Sequence, residues 1–320
     1  MSVPDPGVVR RYEGRQPFAY LLATVRGVGQ VDLQPGLWTG LIILASLWVA
    51  GWQIGLFATL GTLVSTATAL ALDVDRSHLS AGLLGYCGCL TGIALLTYLG
   101  HHPATYVLTA VAAIACVLLT AALNTLLGRY GLTALTAPFC LVSGVMALGA
   151  SSFERVWHGA PKAVSSTTSG GTGLSWDDLW HGFFTNVAQI FLVDKWYVGL
   201  IMLVGLAFAG LRVVLWAAVG SAIGIFAAWA LGAPTALISN GIYGYNAVLV
   251  AIAVGAVFLA PTAWNGVYAL FGAAATTGLT ASLTVLFKPF GGHTFTWPFI
   301  LTTWMLMAAV PLLPRLTRSD

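Results

Sequence analysis

Long apolar blocks separated by short polar turns run along almost the whole chain. No Lys, Arg, Asp or Glu occurs from Ser77 to Gly128 or from Val213 to Phe287. Each of these stretches can hold two or three membrane crossings of about 20 residues. Segments 41–50 and 110–122 are apolar on every side, unlike a transmembrane β-strand with a polar lumen face. The pattern therefore predicts an all-α polytopic membrane protein.

Each half of the chain contains about six apolar blocks. In the first half they lie at roughly 18–31, 37–51, 53–72, 80–99, 104–127 and 133–150. Block 80–99 contains four glycines, and block 18–31 is short and carries Arg26. We therefore expect at least one block per half to enter and leave the membrane on the same side, which is tolerated where irregular backbone lines a cavity or is buried in protein.

The two halves are copies of one pattern. The motif at Gly82–Tyr86 recurs at Gly241–Tyr245, an offset of 159 residues, and Thr136–Phe139 recurs as Thr296–Phe299 at an offset of 160. Such self-similarity indicates a duplicated fold. The expected organisation is an N-terminal tail (1–16), a first repeat (17–150), a linker loop (151–180), a second repeat (181–314) and a C-terminal tail (315–320).

Basic residues near both ends of the chain indicate its orientation. Arg10, Arg11 and Arg15 precede the first block, and Arg315 and Arg318 follow the last. The positive-inside rule then places both termini in the cytoplasm, which requires an even number of crossings. We expect two inverted repeats, each of about five transmembrane helices plus one re-entrant pore helix, in the cell (inner or plasma) membrane.

Composition narrows the class of protein. Charged residues make up 7% of the chain, against about 25% in soluble domains. The few basic residues form no patch, so nucleic acid is not an expected partner. Four cysteines lie inside apolar blocks without metal-ligand spacing, and these blocks contain no paired carboxylates or Ser/His/Asp set. We therefore expect no metal, no cofactor and no enzyme activity.

The positions of the charges bear on what a pore conducts. Coupled transporters and ion channels place ionisable side chains inside the membrane. Asp32, Asp73, Asp75 and Asp194 stand at block ends and are interpreted as interfacial loop charges. A pore without internal charge favours a neutral solute that moves down its gradient. Short amides, ammonia and water are alternative permeants, and an ion-coupled transporter is the less favoured mechanism.

Two pairs of polar residues recur at matched positions, Gln30 with Gln189 and Thr136 with Thr296. A Gln in hydrocarbon must find partners. These amides therefore either join helices or face a channel and exchange hydrogen bonds with a polar, uncharged permeant. A Pro two residues after each Thr suits the first turn of a helix. Each Thr is expected at the mouth of a half-helix whose positive dipole end repels cations.

Apolar residues beside the glycine motifs are candidates to line the walls of the channel. Tyr86 and Leu90 follow the first motif, and Tyr245 and Leu249 follow the second. Since glycines permit close backbone approach, these side chains are expected to wall a flat slot for a planar solute. Structural packing alone explains the same arrangement.

With these residues the sequence resembles the urea transporter family, as a bacterial-type member. The matching stretches are Arg26–Val31 with Gly40–Leu44, the two glycine–tyrosine motifs and the two T-x-P-F motifs, and the match extends from about 17 to 312. The resemblance implies a passive, channel-like urea transporter in the lipid bilayer. It also implies a homotrimer in which each protomer conducts urea down its gradient through its own pore between two inverted repeats.

The resemblance assigns roles to single residues as well. It implies that Gln30 and Gln189 take part in two outer urea sites, and that Thr136 and Thr296 flank the constricted middle of the pore. The apolar slots implied by the resemblance are formed by Val31, Leu33, Tyr86 and Leu90 and by Ile190, Leu192, Tyr245 and Leu249.

Several positions depart from the family's pattern. Tyr stands in the slots, where the family often has Phe. Cys87 stands where the second copy has Asn246, and we expect this change to loosen one support of the first slot. His293 follows Gly292 where the family has Leu-Pro. Because imidazole titrates in the physiological pH range, His293 is a candidate pH-sensitive gate.

Overall fold

The computed structural model describes residues 16–158 and 171–319. Within these ranges the chain is helical and has no β-strand; Leu259 and Arg318 form an isolated antiparallel bridge. The predicted all-α polytopic architecture is confirmed. Most of the predicted N-terminal tail, linker residues 159–170 and the last residue lie outside the described residues.

The helices follow the same order in both repeats. Those of the first repeat are α1 (Gln16–Gly29), α2 (Leu37–Ala50), α3 (Trp52–Ala71), α4 (Arg76–Ser80), α5 (Tyr86–Leu99), α6 (Pro103–Gly128) and α7 (Ala137–Ala150). Those of the second repeat are α8 (Trp176–Ala188), α9 (Trp196–Ala209), α10 (Leu211–Ala230), α11 (Thr235–Ser239), α12 (Tyr245–Val250), α13 (Ala263–Phe287) and α14 (Trp297–Ala309). Every helix of the second list begins 159 or 160 residues after its counterpart.

Four of these helices are long and apolar enough to cross a membrane: Trp52–Ala71, Pro103–Gly128, Leu211–Ala230 and Ala263–Phe290. Two further helix pairs are apolar but bent. The pair formed by α1 and α2 turns through 80°, and the pair formed by α8 and α9 turns through 76°. Bent pairs of this kind are either broken spans or re-entrant segments.

The bends have a local cause in the backbone. A 3-10 turn, Gln30–Asp32, follows α1, and Leu33 then adopts a left-handed conformation with φ 61°. The amide of Leu33 donates to the carbonyl of Gln30 at 3.0 Å, which closes the turn. The second repeat repeats this geometry at Gln189–Phe191, where Leu192 has φ 57°. Positive φ is uncommon for a residue other than glycine, so the apolar pattern alone does not predict these bends.

Short helices follow the two Thr-x-Pro motifs. Helices α7 and α14 contain 14 and 13 residues, fewer than the roughly 20 that span a bilayer. Thr136 and Thr296 occupy the N-cap positions, and a Pro lies in the first turn of each helix. The predicted half-helix starts are therefore found at both motifs.

The chain divides into two compact units. One contains the described residues up to 127 with 133–158 and 204–210, and the other contains 128–132, 171–203 and 211–319. The repeat boundaries at 17–150 and 181–314 stay a prediction. In the first unit, a methyl group on Gly61 of α3 would lie 2.0 Å from the carbonyl oxygen of Gly88 on α5. This close approach fixes the start of α5, where the predicted slot residues begin.

The second repeat contains a feature that the first lacks. Beyond α12 the chain continues as a π-helix, Ala251–Phe258, whereas the corresponding part of α5 is α-helical. The Arg212 guanidinium donates two hydrogen bonds to the carbonyl of Gly255, at 3.0 and 2.7 Å, and one to Leu259 at 2.7 Å. These charge-assisted bonds satisfy carbonyls at the end of the π-helix.

Candidate functional site

The predicted site residues of the first repeat form what we call the first cluster: Gln30, Val31, Leu33, Tyr86, Leu90 and Thr136. The Gln30 amide nitrogen donates to the carbonyl oxygen of Ala81 at 2.8 Å. This bond ties the turn after α1 to the loop between α4 and α5. That loop reverses at Gly82, which has φ 77°.

The second cluster consists of the matched residues Gln189, Ile190, Leu192, Tyr245, Leu249 and Thr296. The Gln189 amide nitrogen donates to the carbonyl oxygen of Asn240 at 2.9 Å, and the loop reverses at Gly241 with φ 75°. Each Gln therefore makes the same contact in its own repeat. A primary amide has two N–H donors and one carbonyl acceptor, so this bond uses only one of its three polar functions.

Exposure differs among the cluster residues. Leu33, Leu192, Tyr86, Tyr245 and Gln189 retain part of their surface. Others have almost none, namely Val31, Leu90, Thr136, Ile190, Leu249 and Thr296. The slot roles expected of these residues stay a prediction, with the partly exposed members best able to touch a solute.

Tyrosine hydroxyls connect the slots to the half-helices. In the first cluster Tyr86 donates from its hydroxyl to the carbonyl oxygen of Leu135 at 2.7 Å. In the second cluster Tyr245 donates to the carbonyl oxygen of Phe295. Leu135 and Phe295 both have positive φ, 48° and 43°, and both directly precede an N-cap Thr. The hydroxyl that distinguishes Tyr from Phe thus has a structural partner in each repeat.

Asn246 clamps the start of α14. Its amide nitrogen donates to Phe295 O at 3.5 Å and to the Thr280 hydroxyl at 3.3 Å, and its amide oxygen accepts from Phe299 N at 3.3 Å. In the first repeat Cys87 replaces this residue, and its Sγ lies 3.8 Å from Leu135 O. Cys87 also has a hydrogen bond with the Phe139 backbone, as Asn246 has with Phe299 N. The first half-helix is therefore held by similar contacts through sulfur, which is a weaker donor and acceptor than an amide.

A further contact near the start of α7 was not predicted from the sequence, and we call it the Asn124 brace. The Asn124 side-chain oxygen of α6 accepts a hydrogen bond from Ala134 N at 2.8 Å, two residues before Thr136. In the second repeat the hydroxyls of Thr284 and Thr294 lie 2.8 Å apart at the matching place. The only signal for this brace is a lone Asn inside an otherwise apolar block.

The interpretation of Asp32 as an interfacial loop charge is wrong. Its side chain is 0% exposed, and neither carboxylate oxygen has a hydrogen-bond partner among the described residues. The block end at Asp32 is the 3-10 turn inside a bent helix pair, so it does not lie at a polar surface. Asp73, Asp75 and Asp194 are exposed as expected.

The first repeat therefore contains buried charged residues. Arg26 is also buried and donates to the carbonyl oxygen of Ser80 at 3.1 Å. The position that matches Asp32 in the second repeat is Phe191, which is fully buried. The expectation that Asp32 is an interfacial loop charge therefore fails, although both clusters themselves carry only amide, hydroxyl and apolar groups.

The described residues contain no group of three or more His, Cys, Asp or Glu side chains arranged to hold a metal ion. All four cysteines are free and buried. The polar side chains of the two clusters are amides and hydroxyls, and the buried carboxyl of Asp32 adjoins the first cluster. Amides and hydroxyls can bind a neutral solute through hydrogen bonds.

Replacing Gly82 by Ala is expected to destabilise the protein by about 2–4 kcal/mol. Gly82 has φ 77°, and an added methyl group would lie 2.4 Å from Gly27 N. Gly100→Ala is the matched control, because Gly100 has the same φ but its nearest neighbour is the His102 side chain at 3.4 Å. We expect the control to cost only about 1–2 kcal/mol. Thermal unfolding in detergent compares the two, and equal losses would show that the close approach at Gly27 is unimportant.

His293 is expected to cause no change of flux between about pH 6.5 and 8. Burial lowers the pKa of His293 from its ordinary value of 6.5 because desolvation disfavours the charged imidazolium. A lowered pKa leaves the ring neutral throughout that range. Vesicle uptake at several pH values tests this. A step in flux within the range that His293→Gln abolishes would contradict it and support the gate hypothesis.

Comparison with known proteins identifies the family. A sequence model described as urea transporter matches residues 21–311. The chain is 32% identical over 291 residues to urea transporter 1 of Capra hircus and 31% identical to that of Ovis aries, in both cases over 88% of this chain and 75% of the relative. Identity to urea transporter 1 of Rattus norvegicus is 28% over 302 residues, covering 92% of this chain and 78% of the relative. The matched region includes both clusters, and the chain belongs to the urea transporter family.

Proposed function

We propose that this protein is a passive urea transporter that conducts urea down its gradient. The matched pairs of amide, hydroxyl and tyrosine side chains, one set in each repeat, carry this proposal. Membership of the urea transporter family and the relatives named urea transporter 1 support it. The family is one of transporters, and the proposed function requires no enzymatic step.

The chemistry of the clusters suits urea. Urea is planar and neutral, with four N–H donors and one carbonyl acceptor. Gln30 and Gln189 offer amide groups that complement both kinds of function, and Thr136 and Thr296 offer hydroxyls. The N-termini of α7 and α14 favour a partial negative charge and disfavour cations. A solute that carries no net charge escapes this penalty.

The apolar residues of the clusters complete the proposed binding surface. We assign them to the faces of the urea plane, where they exclude water while the polar edges are satisfied in the plane. They are Val31, Leu33, Tyr86 and Leu90 with Ile190, Leu192, Tyr245 and Leu249. Each hydrogen bond to urea would be exchanged for the next along a series of side-chain and backbone oxygens, so passage would be fast.

We further propose that the protein is a homotrimer of bacterial type with one pore per protomer. Its place would be the inner or plasma membrane, with both termini in the cytoplasm and its apolar outer surface against lipid. Arg315 and Arg318 support this orientation at the C-terminal end. Cross-linking in native membranes and protease accessibility of tagged termini test the two statements separately.

Uptake of labelled urea into proteoliposomes tests the main proposal. We expect rapid uptake that saturates only at high concentration and that uncouplers leave unchanged. Liposomes without protein are the control for passive leakage. Uptake no faster than in these liposomes would refute the proposal. If the protein conducts ammonia, water or a different short amide in preference to urea, that solute is the permeant instead.

An ion-coupled transporter is the second candidate, favoured by one observation. Asp32 is a buried carboxyl without a hydrogen-bond partner among the described residues, and it adjoins the cluster residues Val31 and Leu33. Buried ionisable residues in membrane proteins often serve ion or proton pathways. Loss of urea uptake on collapse of the proton gradient would support this candidate over passive conduction.

A further inference from the structure

The backbone carbonyls of Leu135 and Phe295, just before the two half-helices, accept hydrogen bonds from side chains. Leu135 and Phe295 adopt positive φ, 48° and 43°, a conformation that is unfavourable for a side chain larger than glycine. Whatever group holds either carbonyl also fixes the peptide that leads into the N-cap Thr.

Tyrosine provides that donor in both repeats, but the two repeats differ in what supports it. In the second, Asn246 donates to the same Phe295 carbonyl as Tyr245 does and also accepts from Phe299 N on α14. In the first, Cys87 also has a hydrogen bond with the Phe139 backbone, and its thiol, a weak donor, lies 3.8 Å from Leu135 O. At 2.7 Å, the hydrogen bond from the Tyr86 hydroxyl is therefore stronger than the thiol contact to the same carbonyl.

We infer that Tyr86 is the positioning residue of the first half-helix, and that its hydroxyl compensates for the absence of an Asn at position 87. This inference rests on the proposed urea transport. The ring of Tyr86 can still face urea, while its hydroxyl is committed to the protein. Loss of the hydroxyl should loosen the Leu135 carbonyl and, with it, the Thr136 hydroxyl and the first amides of α7. Loss of the Tyr245 hydroxyl should have less effect because Asn246 remains.

Four variants test the inference in proteoliposomes with equal amounts of folded protein: Tyr86→Phe, Tyr245→Phe, Cys87→Asn and the double variant Tyr86→Phe/Cys87→Asn. We expect Tyr86→Phe to lower urea permeability roughly threefold to tenfold, the range allowed by the loss of one neutral hydrogen bond. Tyr245→Phe should lower it by less than about twofold. The double variant should recover at least half of the lost flux, since Asn at position 87 can reproduce the Asn246 clamp.

A second measurement separates positioning from folding. A loosened carbonyl should admit larger analogues, so the ratio of urea to thiourea permeability should fall in Tyr86→Phe and recover in the double variant. Misfolding would lower the amount of active protein without changing that ratio. Tyr130→Phe is the control, because Tyr130 is exposed and lies outside both clusters.

The outcomes are distinguishable from failure of the proposed function. If the unaltered protein conducts no urea, the proposed function fails first. If it does conduct urea and Tyr86→Phe matches it in both flux and ratio, the inference is overturned. Equal losses in Tyr86→Phe and Tyr245→Phe would also overturn it. Should Cys87→Asn fail to fold, the comparison between the two single Tyr variants still decides.

Discussion

Replacement of Gln30 or Gln189 by Leu is expected to lower urea permeability about tenfold or more while most of the protein stays folded. Each amide makes one hydrogen bond within its own repeat, to Ala81 O or Asn240 O. A bond of this kind contributes about 0.6 kcal/mol on average between helices in membranes. Urea in a pore, in contrast, has left water and depends on the site for its hydrogen bonds. If the variant presents no amide, one polar group of urea stays unsatisfied, which costs about 1–3 kcal/mol.

The two interpretations of these amides predict different results. If the amide only joins structural elements, Gln30→Leu lowers thermal stability slightly and leaves flux per folded protein unchanged. If the amide binds urea, flux falls and stability changes little. Stopped-flow urea permeability and thermal unfolding of the same preparation measure both quantities.

Gln34→Leu is a matched control for Gln30→Leu. Gln34 is as buried as Gln30, and its amide also donates to a backbone carbonyl, that of Asp32 at 3.1 Å. Gln34 is not a member of either cluster. We expect its replacement to cost a similar amount of stability and to change flux by less than about twofold. Equal loss of flux in both variants would show that the bend between α1 and α2 matters and that the Gln30 amide does not.

The sequence predicts the helices from local periodicity and the duplication from the similarity of its two halves. Apolar blocks of constant spacing indicate helices, and the repeated Thr-x-Pro motif indicates where α7 and α14 begin. Proline has no amide hydrogen to leave unsatisfied in a first helical turn, so this signal is physical and short-range. The matched Gln, Thr and Tyr positions follow from the same comparison of the two halves.

Other features depend on contacts that no local pattern encodes. Leu33 and Leu135 adopt a backbone conformation that leucine disfavours. A tertiary hydrogen bond from Tyr86 holds the carbonyl of Leu135, whereas a bond to Gln30 O closes the turn at Leu33. The brace from Asn124 joins residues ten positions apart across a helix end. Asp32 looks like a loop charge because it ends an apolar block, yet the chain bends there inside the protein. A block boundary shows where hydrophobicity stops and does not show where the membrane stops.

Replacement of Asp32 by Leu is expected to stabilise the protein. The carboxyl is fully buried, and neither oxygen has a hydrogen-bond partner in the described part of the chain. An unsatisfied buried polar group costs about 1–3 kcal/mol, and a charged one costs more. Leu has a similar shape and no polar atoms, and the matched residue in the second repeat, Phe191, is apolar and buried. We expect a gain of about 1–3 kcal/mol, measured as a higher apparent Tm in detergent.

Asp75→Leu is a control that we expect to change the stability in the opposite direction. Asp75 is exposed, and its carboxylate caps α4 by accepting a hydrogen bond from Ser77 N at 2.8 Å. Removal of such a cap costs about 1 kcal/mol, so Asp75→Leu should lower the apparent Tm. If Asp32→Leu also lowers it, the Asp32 carboxyl contributes favourably to the fold and the interpretation of an unsatisfied group fails.

Urea flux through the Asp32→Leu variant then decides between the two candidate functions. Passive conduction uses amide and hydroxyl groups, none of which this substitution removes, so flux should be retained and uncouplers should have no effect on either protein. A proton-coupled mechanism needs a titratable carboxyl, so flux should be lost in Asp32→Leu and, in the unaltered protein, should depend on the proton gradient. A stabilised variant that conducts urea at the original rate would show that Asp32 reduces the stability of this protein without serving its transport.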